Sequence, residues 1–372
     1  MEWITDPAGL GARLAGASRV GLDTEFIRER TWWPQLALVQ VAIERSDSPG
    51  APEILLIDPL IPGMCEALRP LLADPSVLKV MHSASEDLVA LKHACGVVPA
   101  PLFDTQIAAA LGGVGAGIGY QRLVQETLGI AIDKGETRSD WLRRPLSPSQ
   151  LRYAAEDVEH LFQLHDVLER RLDDLGRVGW LLEDAARLVA NAQRDELEPW
   201  PHLGMRSAQY LDADAQIRLL RVLRWRDAYA RDNDRPRTWI LESEFAATLA
   251  RTPPTDLPSL QSQLDAQPKA PRKLAAAIWA ALHTPLADEG NAPAVRSEET
   301  DKHALRKLQQ AVAARSAELG LPDGVLASRR WLEPLLDGKD WPGPLAGWRR
   351  DQLEPALTPL LPTTGGRSGP SV

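Results

Sequence analysis

The chain has 372 residues, of which 44% are hydrophobic and 25% charged, and a formal net charge of −9. That length requires two or three domains, the mixed charge excludes an extensively disordered chain, and the acidic balance excludes a protein that coats nucleic acid by counterion release alone. The opening MEWITDPAGL is not a signal peptide, no apolar run reaches the roughly 20 residues that span a bilayer, and Cys65 and Cys95 form no CxxC pair, so a cytoplasmic protein with reduced core thiols is expected.

In chain order, Arg19–Phe26 (RVGLDTEF), Leu36–Ile43 (LALVQVAI) and Glu53–Ile57 (EILLI) read as strands joined by short polar connections, an antiparallel meander. Gly63–Leu72 reads as a helix, Val77–His82 as a strand and Ser85–Cys95 as a helix, an alternation that indicates an α/β layer fold with a mixed sheet. Gly112–Gly119 is glycine-rich, but its spacing misses G-x-G-x-x-G and no lysine follows, so it reads as a connection and not as a phosphate loop. Beyond residue 195 the strand signal fades. Asp212–Arg231, Glu242–Ala250 and Lys273–Leu282 read as helices, Thr284–Thr300 has linker composition, and a helical block runs from Lys302 to Leu361 before a tail, Pro362–Val372, that reads as disordered. The expected plan is an α/β domain over 1–195, small helical domains over 210–290 and 301–362, and a tail over 363–372.

Three segments carry candidate chemistry. Asp23 and Glu25 are two apart on a strand, so both leave one face of the sheet while Leu22, Thr24 and Phe26 take the other. Neighbouring like charges usually mark a solvated face, but this strand is apolar around them, and a shared cation explains the pair better. In Met81–Leu88 (MHSASEDL), Ser83 and Glu86 have the spacing of a capping box. An acid in a first helical turn also complements the helix dipole, so capping accounts for Glu86 and in part for Asp87. In Ser147–Val158 (SPSQLRYAAEDV), Ser147 is an N-cap, Pro148 suits the first turn and Gln150 completes a capping box, which sets the helix register. Tyr153 and Asp157, four apart, then share one face, away from the stripe of Leu151, Ala154, Ala155, Val158, Leu161 and Phe162. That face is either plain surface or the wall of a cleft. Ahead of it, in KGETRSDWLRRP, Trp141 reads as a packing residue, and Lys134, Arg138, Arg143 and Arg144 as phosphate contacts or ordinary surface.

Four carboxylates from three segments suggest a site for two hard, oxygen-seeking cations, magnesium or manganese, acting on a phosphodiester, with the tyrosine orienting the attacking water. Together, GLDTEF, HSASEDL and YAAEDV resemble the three exonuclease motifs of the DEDD superfamily in its tyrosine branch. TWWPQLALVQ, LIDPL, FDTQIAAAL and SDWLRRPLS resemble the ribonuclease D type, RVLRWRDAYARDNDRP the start of an HRDC domain, and ASRRWLEPLL with AGWRRDQ a second HRDC-like domain.

The resemblance implies a ribonuclease H-like exonuclease domain followed by two small all-α HRDC-type domains. It implies hydrolytic release of 5′-mononucleotides from RNA 3′ ends, with tRNA precursors among the substrates; a monomer that works away from membranes is expected. It further implies that Asp23, Glu25 and Asp157 hold the cation that activates water, that Asp23 is shared with a second cation supported by Asp87, and that Tyr153 orients the nucleophile. A DNA 3′–5′ exonuclease and a catalytically silent nucleic-acid-binding module are the competing readings; a helicase is excluded by the missing P-loop. From Arg218 to Arg237 there are seven arginines against three aspartates, which reads either as an RNA-backbone contact or as a solvated helix with ion pairs such as Asp227 with Arg231.

Overall fold

A computed structural model describes residues 1–44, 52–132, 135–136, 139–295, 302–336 and 340–361. The chain forms two compact units, one of Met1–Ile27, Gln35–Arg194 and the segment from Asp301 onward, the other of Arg28–Pro34 and Asp195–Thr300.

The first unit is built on a six-stranded mixed sheet: β1 (Glu2–Ile4), β2 (Arg19–Ile27), β3 (Gln35–Ile43), β4 (Glu53–Ile57), β5 (Leu78–Met81) and β6 (Leu102–Asp104), in the order β1-β4-β3-β2-β5-β6. The expected β2-β3-β4 meander is antiparallel, whereas β1, β5 and β6 pair in parallel. The short β1 and β6 carry too few residues for a period-two pattern to stand out, and pairing with β4 and β5 defines them.

Alternation along β2 and β3 divides the core. Val20, Leu22, Val39, Val41 and Ile43 face one layer, where α1 (Pro7–Leu14), α2 (Met64–Ala73) and α3 (Ser85–Cys95) bring Leu10, Leu68, Leu88 and Leu91. Leu38 and Ala42 face the other, made by α4 (Thr105–Leu111), α5 (Tyr120–Leu128), α6 (Pro148–Glu159), α7 (Leu161–Asp174) and α8 (Val178–Gln193). A register shift between Glu25 and Phe26 leaves Ala37 as an extra residue on β3. The free thiols of Cys65 and Cys95 meet between α2 and α3.

The C-terminal helices α14 (Lys302–Leu319), α15 (Arg329–Leu336) and α16 (Trp348–Leu357) share this second core, for Leu308, Leu332, Trp348 and Leu353 belong to one cluster with Leu168, Leu172 and Leu181. Arg349 forks onto the buried Asp184 of α8 at 2.5 and 2.8 Å, and Trp348 stacks on Trp180 with ring centroids 4.3 Å apart. A buried charge pair with this bidentate geometry fixes α16 against α8.

The second unit is helical: α9 (Ala213–Asp232), α10 (Arg237–Ile240), α11 (Ser243–Arg251), α12 (Leu257–Ala266) and α13 (Ala275–His283). Its core gathers Leu219, Leu223, Ala247, Leu260 and Ile278, and Trp32 packs with Ala230 and Ile240. No helix among the described residues is long and apolar enough to cross a membrane.

Candidate active site

Asp23 and Glu25 project from the face of β2 that looks toward α6, opposite Gln40 and Leu38 of β3. Close approach is possible because the same face carries Gly21, where a Cβ would lie 3.1 Å from the Ala42 side chain and 3.2 Å from Leu161. Thr24, on the other face, is buried and donates its hydroxyl to the Asp87 carboxylate at 2.5 Å. This bond ties the acid of α3 to the strand between the two acids of β2. Sequence reasoning passed over Thr24, because nothing local links residues 63 positions apart.

The capping box expected from Ser83 and Glu86 is not formed. Ala84 is the N-cap of α3 and makes no side-chain cap bond, and Ser83 sits in the left-handed region at φ 58°. The buried Asp104 replaces it, accepting from the amides of Ser83 (3.2 Å) and Ala84 (2.9 Å) while also capping α4 through Gln106 and Ile107. One carboxylate at the end of β6 therefore anchors two helix starts, and the chain takes this remote acceptor over the local hydroxyl.

On α6 the expected capping box is present: Ser147 accepts from the Gln150 amide and the Gln150 side chain accepts from the Ser147 amide. Tyr153 and Asp157 stand on one face, and the Tyr153 hydroxyl donates to Asp157. That face is not detached from the apolar layer, contrary to the stripe read from spacing. The Tyr153 ring lies 6.0 Å from the buried Trp141, and Gly135 lies so close that a Cβ there would sit 2.4 Å from the tyrosine ring. The loop before α6 folds back over the helix, which a helical wheel does not register. Another residue missed by sequence reasoning is Tyr120, whose hydroxyl donates to the Glu156 carbonyl and accepts from the His160 amide, clamping the turns on either side of Asp157.

Electrostatics joins the segments. Burial, followed by Asp87, Asp157 and Glu25, raises Asp23 well above the usual carboxylate range. Burial, then Asp157 and Asp87, pushes Glu25 up to about 8. Asp87 is pushed to about 7 by burial, against the opposing Thr24 bond, and Asp157 to about 7 by burial and the neighbouring Glu156, against the Tyr153 bond. Burial, then Asp157, Glu25 and Asp23, raises the Tyr153 phenol, which keeps it protonated as a donor.

Among the described residues no three acidic side chains converge tightly enough to enclose an ion. The donor set nevertheless fits a hard divalent cation, because it consists of carboxylate oxygens that disfavour one another's ionisation in the absence of positive charge.

Of the four basic residues considered as phosphate contacts, Lys134 and Arg138 lie outside the described residues and Arg143 is exposed. Arg144 is committed elsewhere: it forks onto the buried Asp58 at 2.7 and 2.8 Å and donates to the Ala37 and Trp141 carbonyls, fastening the Trp141 loop to the sheet. In the helical unit most of the arginines are likewise engaged. Arg221 pairs with Glu289, Arg224 with Asp288, Arg226 with Asp227 and Arg237 with Asp227. Asp227 therefore does not serve Arg231, which pairs with Asp232; tertiary partners displace the expected pair within the helix.

Residues 2–173, which carry this sheet, the two acids of β2 and the tyrosine and aspartate of α6, match the family described as 3′-5′ exonuclease, which makes the chain a member of that class. Ribonuclease D of Xanthomonas oryzae pv. oryzae is 61% identical over 97% of this chain and 98% of its own length. That of Pseudomonas paraeruginosa is 37% identical over 97% of each. The crystal structure of Escherichia coli ribonuclease D, described as an exoribonuclease involved in structured RNA processing, superimposes with a TM-score of 0.81 at 27% identity, covering 96% of this chain and 98% of that one. The catalytic core of RRP6 from Trypanosoma brucei shares the fold, with a TM-score of 0.57 at 19% identity over 75% of this chain and 78% of that one. The chain belongs to the ribonuclease D family; it is a hydrolase, a 3′–5′ exoribonuclease.

Proposed function

We propose that Asp23, Glu25, Asp87 and Asp157 hold two divalent cations, magnesium or manganese, and that with Tyr153 they hydrolyse the terminal phosphodiester of RNA to release 5′-mononucleotides. When bound, the cations stabilise the attacking and leaving oxygens of an in-line displacement. The observation that carries this reading is that Asp23 and Glu25 are raised in pKa by burial and by both Asp87 and Asp157, which are themselves raised by burial and by neighbouring acids. Such an arrangement is unfavourable without cations and favourable with them. Tyr153 stays protonated and donates to Asp157, so it acts by orienting water and not as a base.

The substrates are structured RNAs with 3′ extensions, tRNA precursors among them, acted on by a monomer in the cytoplasm. The family likeness and the architecture support this choice over DNA. Residues 210–290 act as an HRDC domain and 301–362 as a second HRDC-like element. RNA contact in the former falls to the exposed Arg235 and Lys273, which lie outside α9. Arg235, Arg272 and Lys273, with Tyr229 and Asn233, line an open pocket of about 610 Å³.

The test is incubation of a 3′-extended tRNA and a matched DNA strand with the protein, with magnesium or with a chelator. Stepwise shortening of the RNA that requires metal, and that is lost in Asp23→Ala and Asp157→Ala, is expected. Tyr153→Phe should slow turnover by about 100-fold with metal binding nearly intact. Faster DNA degradation would overturn the RNA assignment, and activity surviving chelation would overturn the metal mechanism.

A further inference from the structure

Gln40 is the one polar side chain in the strand run LALVQVAI, and it has no exposed surface. Neither its amide nitrogen nor its amide oxygen has a hydrogen-bond partner. A buried primary amide with all its valences idle is costly, and a leucine or methionine would fill the position better, so the residue requires an explanation beyond packing.

Register supplies one. Gln40 lies directly across from Asp23 in the β2-β3 ladder. Residues so paired share a face of the sheet, with Cβ atoms about 4.5–5.5 Å apart. The neighbouring pair, Gly21 with Ala42, verifies the face, since a Cβ on Gly21 would meet the Ala42 Cβ at 3.1 Å. On either side along β3, Leu38 and Ala42 are fully buried and apolar, so Asp23 is the polar group across the strand to which the amide can turn. Its N–H groups are donors of the kind a carboxylate accepts, and they have no other partner. A carboxylate bridging two cations needs a fixed orientation, and donors behind such ligands set it.

We infer that Gln40 is a positioning residue for Asp23, its idle side-chain amide turning to the carboxylate and fixing its orientation when a divalent cation binds. The inference rests on the assignment of Asp23 to the metal site, and the two are tested together but separably. Mn²⁺ is titrated calorimetrically into the full chain without RNA, for the parent, Gln40→Met, Asp23→Asn and the double variant, and each metal-free protein is melted.

Gln40→Met is expected to melt at or above the parent temperature, since an idle amide is replaced by an apolar group of similar length, yet to bind Mn²⁺ about 10-fold more weakly or worse. Adding it to Asp23→Asn should weaken binding no further. A Gln40→Met protein with unchanged Mn²⁺ affinity, beside an Asp23→Asn protein that has lost it, overturns the role of Gln40 and leaves the site standing. Unchanged affinity in Asp23→Asn overturns the site and the inference with it. Should Gln40→Met not fold, Gln40→Asn draws the amide back by one methylene and is read in the same titration, where affinity equal to the parent's overturns the inference.

Discussion

Helices α3 and α6 begin with nearly the same local pattern, a serine followed three residues later by Glu or Gln, and each delivers an aspartate to the same cluster. They are held by different means. On α6 the serine and glutamine close a capping box, so the register of Tyr153 and Asp157 is written in four adjacent residues. On α3 the serine is turned into the left-handed region, and Asp104, across the sheet on β6, takes over the capping while Thr24 fixes Asp87 from β2. A sequence motif of this kind states what a helix end is able to do. Whether it does so depends on whether a better acceptor arrives from elsewhere.

That contrast can be broken experimentally. Asp104→Ala should have the largest effect. It removes the acceptor for four backbone amides at a site that is 1% exposed, and a loss of about 3 kcal/mol in urea unfolding is expected. RNA shortening should fall with it, because Asp87 loses its mounting. A cost below about 1 kcal/mol would mean that α3 is held by its own sequence after all.

The acids from the two helices should also behave alike despite their different supports. Glu25 near 8 and Asp87 and Asp157 near 7 all lie above the usual carboxylate value. A carboxyl raised on folding contributes stability that is complete below its unfolded pKa and is lost as pH rises through its folded one. The metal-free protein should therefore lose stability between roughly pH 4.5 and 8, by about 3 °C or more in melting temperature, and Mg²⁺ or Mn²⁺ should restore it at the upper end. Glu25→Gln should flatten the slope while abolishing cleavage. A melting temperature that rises over this interval would show that these carboxyls are not buried as the fold has them.

Smaller effects separate the two helix starts directly. Ser147→Ala should cost about 1 kcal/mol and lower kcat modestly, because the register of α6 loosens. Ser83→Ala, at the position that merely looks like a cap, should change stability by less than about 0.5 kcal/mol. Equal costs at the two serines would erase the distinction.

Much of the site was legible in the sequence because its parts are periodic. Asp23 with Glu25 follows from the strand repeat, and Tyr153 with Asp157 from a helix whose start is locally capped. Asp87 was the weakest reading, and the structure explains why: its support comes from Thr24 and Asp104, 63 and 17 residues away in sequence. Tyr120 and Gly135 were invisible as site residues, and Arg144 was read as a phosphate contact or ordinary surface and not as the partner of Asp58, for the same reason, since each acts by contact with a segment it does not adjoin. The meander and the helical C-terminal half were read correctly, but β1 and β6 exist only through pairing, and no local pattern placed α14–α16 in the core beneath α8.

By itself, then, the sequence determined which faces of β2 and α6 carry acids, because dihedral preferences impose periods of two and 3.6 that any chain must obey. Tertiary structure decided the rest. It chose Asp104 over Ser83 as the cap of α3, spent the arginines of α9 on acids within their own unit, and set Gln40 across from Asp23 without a partner. The physical reason is that a buried polar group is satisfied by whichever partner the fold brings to it, and that partner need not be near in the chain.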